Sequence, residues 1–125
     1  MATAYNQVRT IDAAYGAASD FGKPLVNSCL TLAIVTGMSV SDVSQKAVAN
    51  LGWKEIRMPA PVFAGDTLYA ESEVLDKRES KSRQDAGIVS VRSTGKNQDG
   101  AIVCTFDRTM LVQRRGHALE DKANY

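Results

Sequence analysis

The chain has 125 residues, enough for one compact domain that buries about two thirds of its unfolded surface. Its 44% hydrophobic and 23% charged residues exclude a disordered or fibrous polymer, and a formal net charge of +1 gives nucleic acid nothing to grip. Cys29 and Cys104 lie in apolar stretches without metal-ligand spacing, so both are expected as reduced core residues, and a cytoplasmic address follows as the default.

In chain order, the alanine-rich run Ile11 to Ala18 predicts a short helix with Asp12 close to its N-terminus, ended by Gly22 and Pro24. From Leu25 to Met38 the apolar residues Leu25, Leu30, Leu32, Ala33, Ile34 and Val35 cover nearly every side of a helix, the pattern of a buried helix. The same run is too short, and too interrupted by Thr31, Thr36 and Gly37, to span a bilayer, and no basic-then-apolar leader precedes it. Ser39 to Gln45 reads as a polar connection.

The periodicity then changes to two. Ala47 to Met58 predicts a strand in which Gly52 marks a bulge, because Leu51 and Trp53 fit one alternation and Ile56 and Met58 the other. Pro59 and Pro61 stop pairing. In Thr67 to Leu75 the residues Leu68, Ala70 and Val74 alternate with Tyr69, Glu71 and Glu73, giving a half-buried strand. Ile88 to Thr94 and Ile102 to Val112 behave alike, joined by the hairpin residues Asn97 to Gly100. Glu79 to Gly87 is a polar loop, and Gly116 to Tyr125 a flexible tail on a single domain spanning residues 1–125. Asp66, in the turn Gly65 to Leu68, is expected to accept a turn hydrogen bond. Trp53, Phe63 and Tyr69 are expected in a core or an interface.

A short helix, a buried helix and four antiparallel strands in this order resemble the α+β hotdog fold. The wording FGKPLVNS, LTLAIVTGMSV, VANLGWKEIRMPAPVFAGDTLYAESEVLDKRES and GIVSVRSTGKNQDGAIVCTF is similar to the MaoC-like dehydratases, in the branch of mesaconyl-CoA and related acyl-CoA hydratases, over about Asn6 to Arg114. The resemblance implies reversible addition of water to a 2-enoyl thioester, with coenzyme A arriving as part of the substrate and no separate cofactor or metal. That reaction needs a base for the water, an acid for the α-carbon and donors for an enolate-like oxygen. Backbone amides of Asn27, Ser28 and Cys29, at the start of the long helix, would supply the donors, although Asn27 or Ser28 acting only as a cap is an equal reading.

In the family the acid and base are an aspartate and a histidine in a segment D-x-N-P-L-H-x-D. The matching stretch here is AYNQVRTID, Ala4 to Asp12, which places Thr10 or Arg9 at the histidine and Tyr5 or Ala4 at the first aspartate. The dyad is absent, and neither a hydroxyl nor a guanidinium titrates near neutral pH. The chain also begins only a few residues ahead of this segment, where family members carry a further strand and loop. A partner chain supplying the missing part, a variant without activity, and another reaction on other residues all remain open.

Asn6 and Gln7 could orient a water, and Asp12 or Asp20 could act as a carboxylate but more readily cap or meet solvent. His117, in the tail, is expected in solvent. For the phosphates of coenzyme A the candidate cations are Lys54, Arg57, Arg78 and Arg83, with Lys77 and Lys81 nearby. The expected partners are an acyl-CoA thioester and a second copy in a homodimer or higher assembly, or a full-length relative in a hetero-oligomer, with no role for nucleic acid or membrane.

Overall fold

The computed structural model describes residues 12–123. The segment from Ala4 to Ile11, which holds Asn6, Gln7 and the positions aligned with the family dyad, lies outside them. Helix α1, Ala13–Ala18, is capped by Asp12, whose Oδ1 accepts from the Tyr15 N–H at 3.0 Å. Helix α2, Ser28–Ser39, runs into a π-helical turn over Val40–Ser44 where a plain polar connection was expected. Four strands follow: β1 Ala47–Arg57, β2 Tyr69–Glu79, β3 Ala86–Lys96 and β4 Ile102–Gln113. The expected loose tail carries a short helix α3, Leu119–Ala123, with Lys46 paired to Glu120. Among the described residues no helix is long and apolar enough to cross a membrane.

The strands form one antiparallel sheet in the order β1-β4-β3-β2, so β1 and β2 are its two edges. The β3–β4 hairpin closes on Asn97, whose Oδ1 accepts from the Asp99 and Ala101 amides, while Gly100 takes the positive φ of 79° that a side chain would resist. Edge strand β1 slips register at three places, one of them between Asn50 and Gly52, as the switch in alternation predicts.

Helix α2 lies on one face of this sheet. Val35 packs directly over Gly95, where an added Cβ would stand 2.6 Å from Val35 Cγ2. Val35, Val62, Val103, Cys104 and Phe106 make the core, with Leu32, Met58 and Leu68 against it. Each such side chain taken out of water contributes about 1.5–3 kcal/mol. The opposite sheet face is polar: Asp107 receives both Arg92 Nε at 2.7 Å and Nη2 at 2.9 Å, with Lys54 paired across from it on β1 and Glu73 across from Arg92 on β2. Four charges of alternating sign thus cross all four strands, and Arg92 holds the Asp107 carboxyl below the usual carboxylate range.

The long helix departs from its sequence pattern. Only Thr31, Val35 and Ser39 are buried, and Leu30, Ile34 and Met38 form an apolar stripe left bare. One four-stranded sheet covers one side of a helix, so a residue set that is apolar all round keeps an uncovered side. Cys29 lies on that side and is exposed, whereas Cys104 is buried as expected.

Candidate active site

The site grows from the approach to α2. Gly16 has no Cβ, and one placed there would meet Pro24 Cα at 2.8 Å, so α1 packs straight onto the chain leading into the helix. From Pro24 that chain runs beside the proline-rich segment after β1: Val26 N–H donates to Val62 O at 2.8 Å, and Leu25 bridges Phe63. Asn27 then caps α2, its Oδ1 accepting from the Cys29 N–H at 2.8 Å.

The segment 58–68 is latched. Asp66 Oδ2 accepts the Phe63 N–H at 2.9 Å and its Oδ1 the Gln98 amide at 3.0 Å, while Gln98 Oε1 accepts the Thr67 N–H at 3.0 Å. The Phe63 amide first, then Gln98, and lastly the charge of Lys23 hold this carboxyl below its ordinary range. The turn hydrogen bond expected of Asp66 is present, and Gly65 beside it adopts φ +94°.

Between the latched segment and the helix start lies a cavity of about 260 Å³, lined by Ser28 and Thr31 from α2, by Met58, Pro59, Ala60, Pro61 and Val62, and by Phe21, Leu25, Val26 and Val103. Of the three residues expected to offer backbone donors, only Ser28 lines it. The Cys29 amide is taken by the Asn27 side chain, and the Leu30 and Thr31 amides bond Asn27 O at 3.0 and 3.1 Å. The Ser28 N–H is left without an acceptor among the described residues, at the positive end of a 12-residue helix. Asn27 therefore caps, and the Ser28 N–H is the first-turn donor left over among the described residues.

Thr31 adds a group the sequence reading passed over. It is 2% exposed, lines the cavity, and its hydroxyl has no hydrogen-bond partner among the described residues. Its position four residues after the cap, on the buried side of the first turn, was the available signal. Ser28 and Thr31 of the first turn thus both contribute to the cavity wall.

The expected cations fall in two groups. Lys54 stands opposite Asp107, and Arg57 pairs with Glu55 at 3.1 Å, on the part of β1 that leads to Met58 and the cavity. Arg78 is on β2 where it pairs with Ile88, and Arg83 forks onto Asp85 at 2.9 and 2.6 Å, at the far end of β3. Three interstrand steps separate the two edges, about 14 Å, so the four do not converge within one protomer. Lys23, not singled out from sequence, has its ammonium 4.2 Å from the Phe63 ring centroid, beside the latched segment. His117 and Asp20 are exposed and neither is in the lining, although Asp20 adjoins Phe21, which is. Trp53 and Tyr69 are exposed in the single protomer, and Trp53 meets Phe106 with ring centroids 5.0 Å apart.

Comparison with known proteins places these features in context. The family model described as mesaconyl-CoA hydratase matches residues 5–124. A mesaconyl-CoA hydratase from Cereibacter sphaeroides is 43% identical over 93 residues, which are 74% of this chain and 27% of that protein. An (R)-specific enoyl-CoA hydratase from Aeromonas caviae is 30% identical over 102 residues, 82% of this chain and 72% of its own. Among solved structures, a MaoC domain protein dehydratase from Chloroflexus aurantiacus superposes with a TM-score of 0.82 at 33% identity, covering 86% of this chain and 30% of the other. The chain thus spans about a quarter of the length of the mesaconyl-CoA hydratases it matches, and its architecture is the α+β hotdog.

Proposed function

Because the chain belongs to the mesaconyl-CoA hydratase family, we propose that it binds a 2-enoyl thioester of coenzyme A and acts as a MaoC-type hydratase or dehydratase, moving water onto or off the acyl double bond. One observation carries this reading: a cavity of about 260 Å³ abuts the start of α2. Attack of water at the β-carbon drives charge onto the thioester oxygen, and the Ser28 N–H and the helix dipole favour that charge where it develops. The apolar walls exclude competing water and strengthen the interaction.

Proton transfer needs groups beyond this lining, which among the described residues contains no titratable side chain. That observation favours a second reading, a non-catalytic acyl-CoA-binding subunit that completes a hotdog relative carrying the acid and base. In both readings the bare stripe of α2, with Leu30 53% and Ile34 39% exposed, is covered by another hotdog unit, a second copy in the first and the relative in the second. In either case we expect a cytoplasmic address, the default for a chain whose two cysteines are free.

The test is loss of the conjugated thioester absorbance of crotonyl-CoA or mesaconyl-CoA with purified protein. Turnover by the homomer supports the hydratase. Activity that appears only on mixing with a copurifying hotdog partner supports the subunit, and absence of both turnover and acyl-CoA binding refutes the two together.

A further inference from the structure

Residues 58–62, one wall of the cavity, are held in place by contacts that lie outside the lining, and their part in ligand binding rests on the acyl-CoA reading proposed above. Pro59 and Pro61 have no backbone N–H, so this stretch cannot knit itself to a neighbouring strand at those positions. It hangs between two anchors. On one side the β1 ladder ends where Arg57 pairs with Thr105, and on the other Val62 O accepts the Val26 N–H, on the approach to α2, at 2.8 Å. Just beyond the second anchor, residues 63–67 are tied to the β3–β4 hairpin.

That tie runs through one side chain. Gln98 Nε2 donates to Asp66 Oδ1 at 3.0 Å and Gln98 Oε1 accepts the Thr67 N–H at 3.0 Å, while Asp66 Oδ2 takes the Phe63 N–H at 2.9 Å. Its mount is stiff, because the neighbouring Asn97 Oδ1 accepts the Asp99 and Ala101 amides and Asn97 O accepts the Gly100 N–H at 3.1 Å. Strand β4 leaves the same hairpin and carries Val103 into the cavity lining. Gln98, itself exposed and outside the lining, thus joins the side of the cavity formed by Val103 to the wall formed by residues 58–62.

From this bridge we infer that Gln98 is a positioning residue for the ligand: through Asp66 and Thr67 it fixes the wall of residues 58–62 at the separation from α2 that an acyl thioester fills. The bridge requires a donor and an acceptor on one planar group, which an amide has and a carboxylate lacks. Gln98→Glu keeps the length and the acceptor for Thr67 but turns a second carboxylate towards Asp66. Adding Asp66→Asn reverses the polarity of the pair, since the new amide keeps a carbonyl for the Phe63 N–H and offers its NH₂ to the glutamate. The double variant therefore restores the pattern of hydrogen bonds and leaves one negative charge in the latch, as in the parent chain.

Calorimetric titration of the purified protein with coenzyme A, crotonyl-CoA and mesaconyl-CoA gives the advantage of a thioester over coenzyme A itself, read for whichever thioester the parent chain binds more tightly. Gln98→Glu is expected to lose about threefold to thirtyfold of that advantage, the range over which residues that touch no ligand alter binding. The double variant is expected to recover most of it, a reversal that a general loss of stability would not produce. Gln98→Glu binding like the parent overturns the inference with the functional reading intact, and so does a loss that the double variant fails to repair. A parent chain that binds neither thioester more tightly than coenzyme A removes the acyl slot, and both conclusions fall.

Discussion

At the scale of single residues, Arg108 poses the sharpest physical question in the chain. It is 3% exposed, has no carboxylate against it among the described residues, and its Nε has no hydrogen-bond partner. Burial accordingly weakens its hold on its proton. Its Nη2 donates to Ser39 Oγ at 3.2 Å and Ser44 Oγ at 3.1 Å, and the guanidinium lies 5.7 Å from the Trp53 ring. Ser39 ends α2 and Ser44 ends the π-helical turn, so the cation sits at the negative end of the helix dipole and ties down the irregular turn that follows. A buried charge so incompletely met stabilises little beyond its packing. Arg108→Met, which keeps the volume, is expected to unfold within about 1 kcal/mol of the parent or above it. Arg108→Ala, which opens a cavity, is expected to lose about 2–4 kcal/mol. Denaturant titrations of the two variants decide, and an equal loss in both would mean that the serine hydrogen bonds outweigh packing.

At the scale of elements, the contact between α2 and β3 depends on an absent side chain. Gly95→Ala would push a methyl into Val35 at 2.6 Å, and overpacking of this kind costs about 1–3 kcal/mol. A thermal melt of this variant is expected to fall by several degrees, and an unchanged midpoint would show that the helix can lift from the sheet without loss. Strands, turns and the short helix were legible because alternation and turn chemistry act among neighbours in sequence. The limits of β2 were less so. Its start was expected at Thr67 but falls at Tyr69, because the Thr67 amide is taken by Gln98, thirty-one residues on. Its end runs past Leu75 to Glu79 because Lys77, Arg78 and Glu79 find partners in Val89, Ile88 and Gly87. A charged run that reads as loop becomes strand when an adjacent strand offers its backbone.

For the molecule as a whole, the helix that reads as buried on every side is covered on one. Leu30, Ile34 and Met38 lie four residues apart along a helix with a rise of about 1.5 Å per residue, and their exposure in the single protomer follows from having only one sheet to lie on. Under the assembly proposed above, Ile34→Glu is expected to convert a dimer to monomers in light scattering while leaving the far-ultraviolet dichroism intact, since a charge at an exposed site opposes association more than folding. Retention of the dimer would place the contact elsewhere. The candidate site divides the same way. The helix start was visible in FGKPLVNS, and so was Asp66. Which amide is free was not: Asn27 spends its side chain on Cys29, leaving Ser28, and that choice rests on cap geometry. Nor was the separation of Lys54 and Arg57 from Arg78 and Arg83, which depends on β1 and β2 becoming opposite edges of the sheet.

Residue order alone pointed to a long helix and four strands, because periodicity, caps and turns are properties of short stretches of chain, while the hotdog fold was read from a resemblance. Tertiary structure alone decided the strand order, the bare side of α2, the latch of Asp66 on Gln98, and the cavity shared by Ser28, Thr31 and Met58. Each of these joins residues distant in sequence, and their pairing is set by how the sheet closes beneath the helix rather than by any local preference.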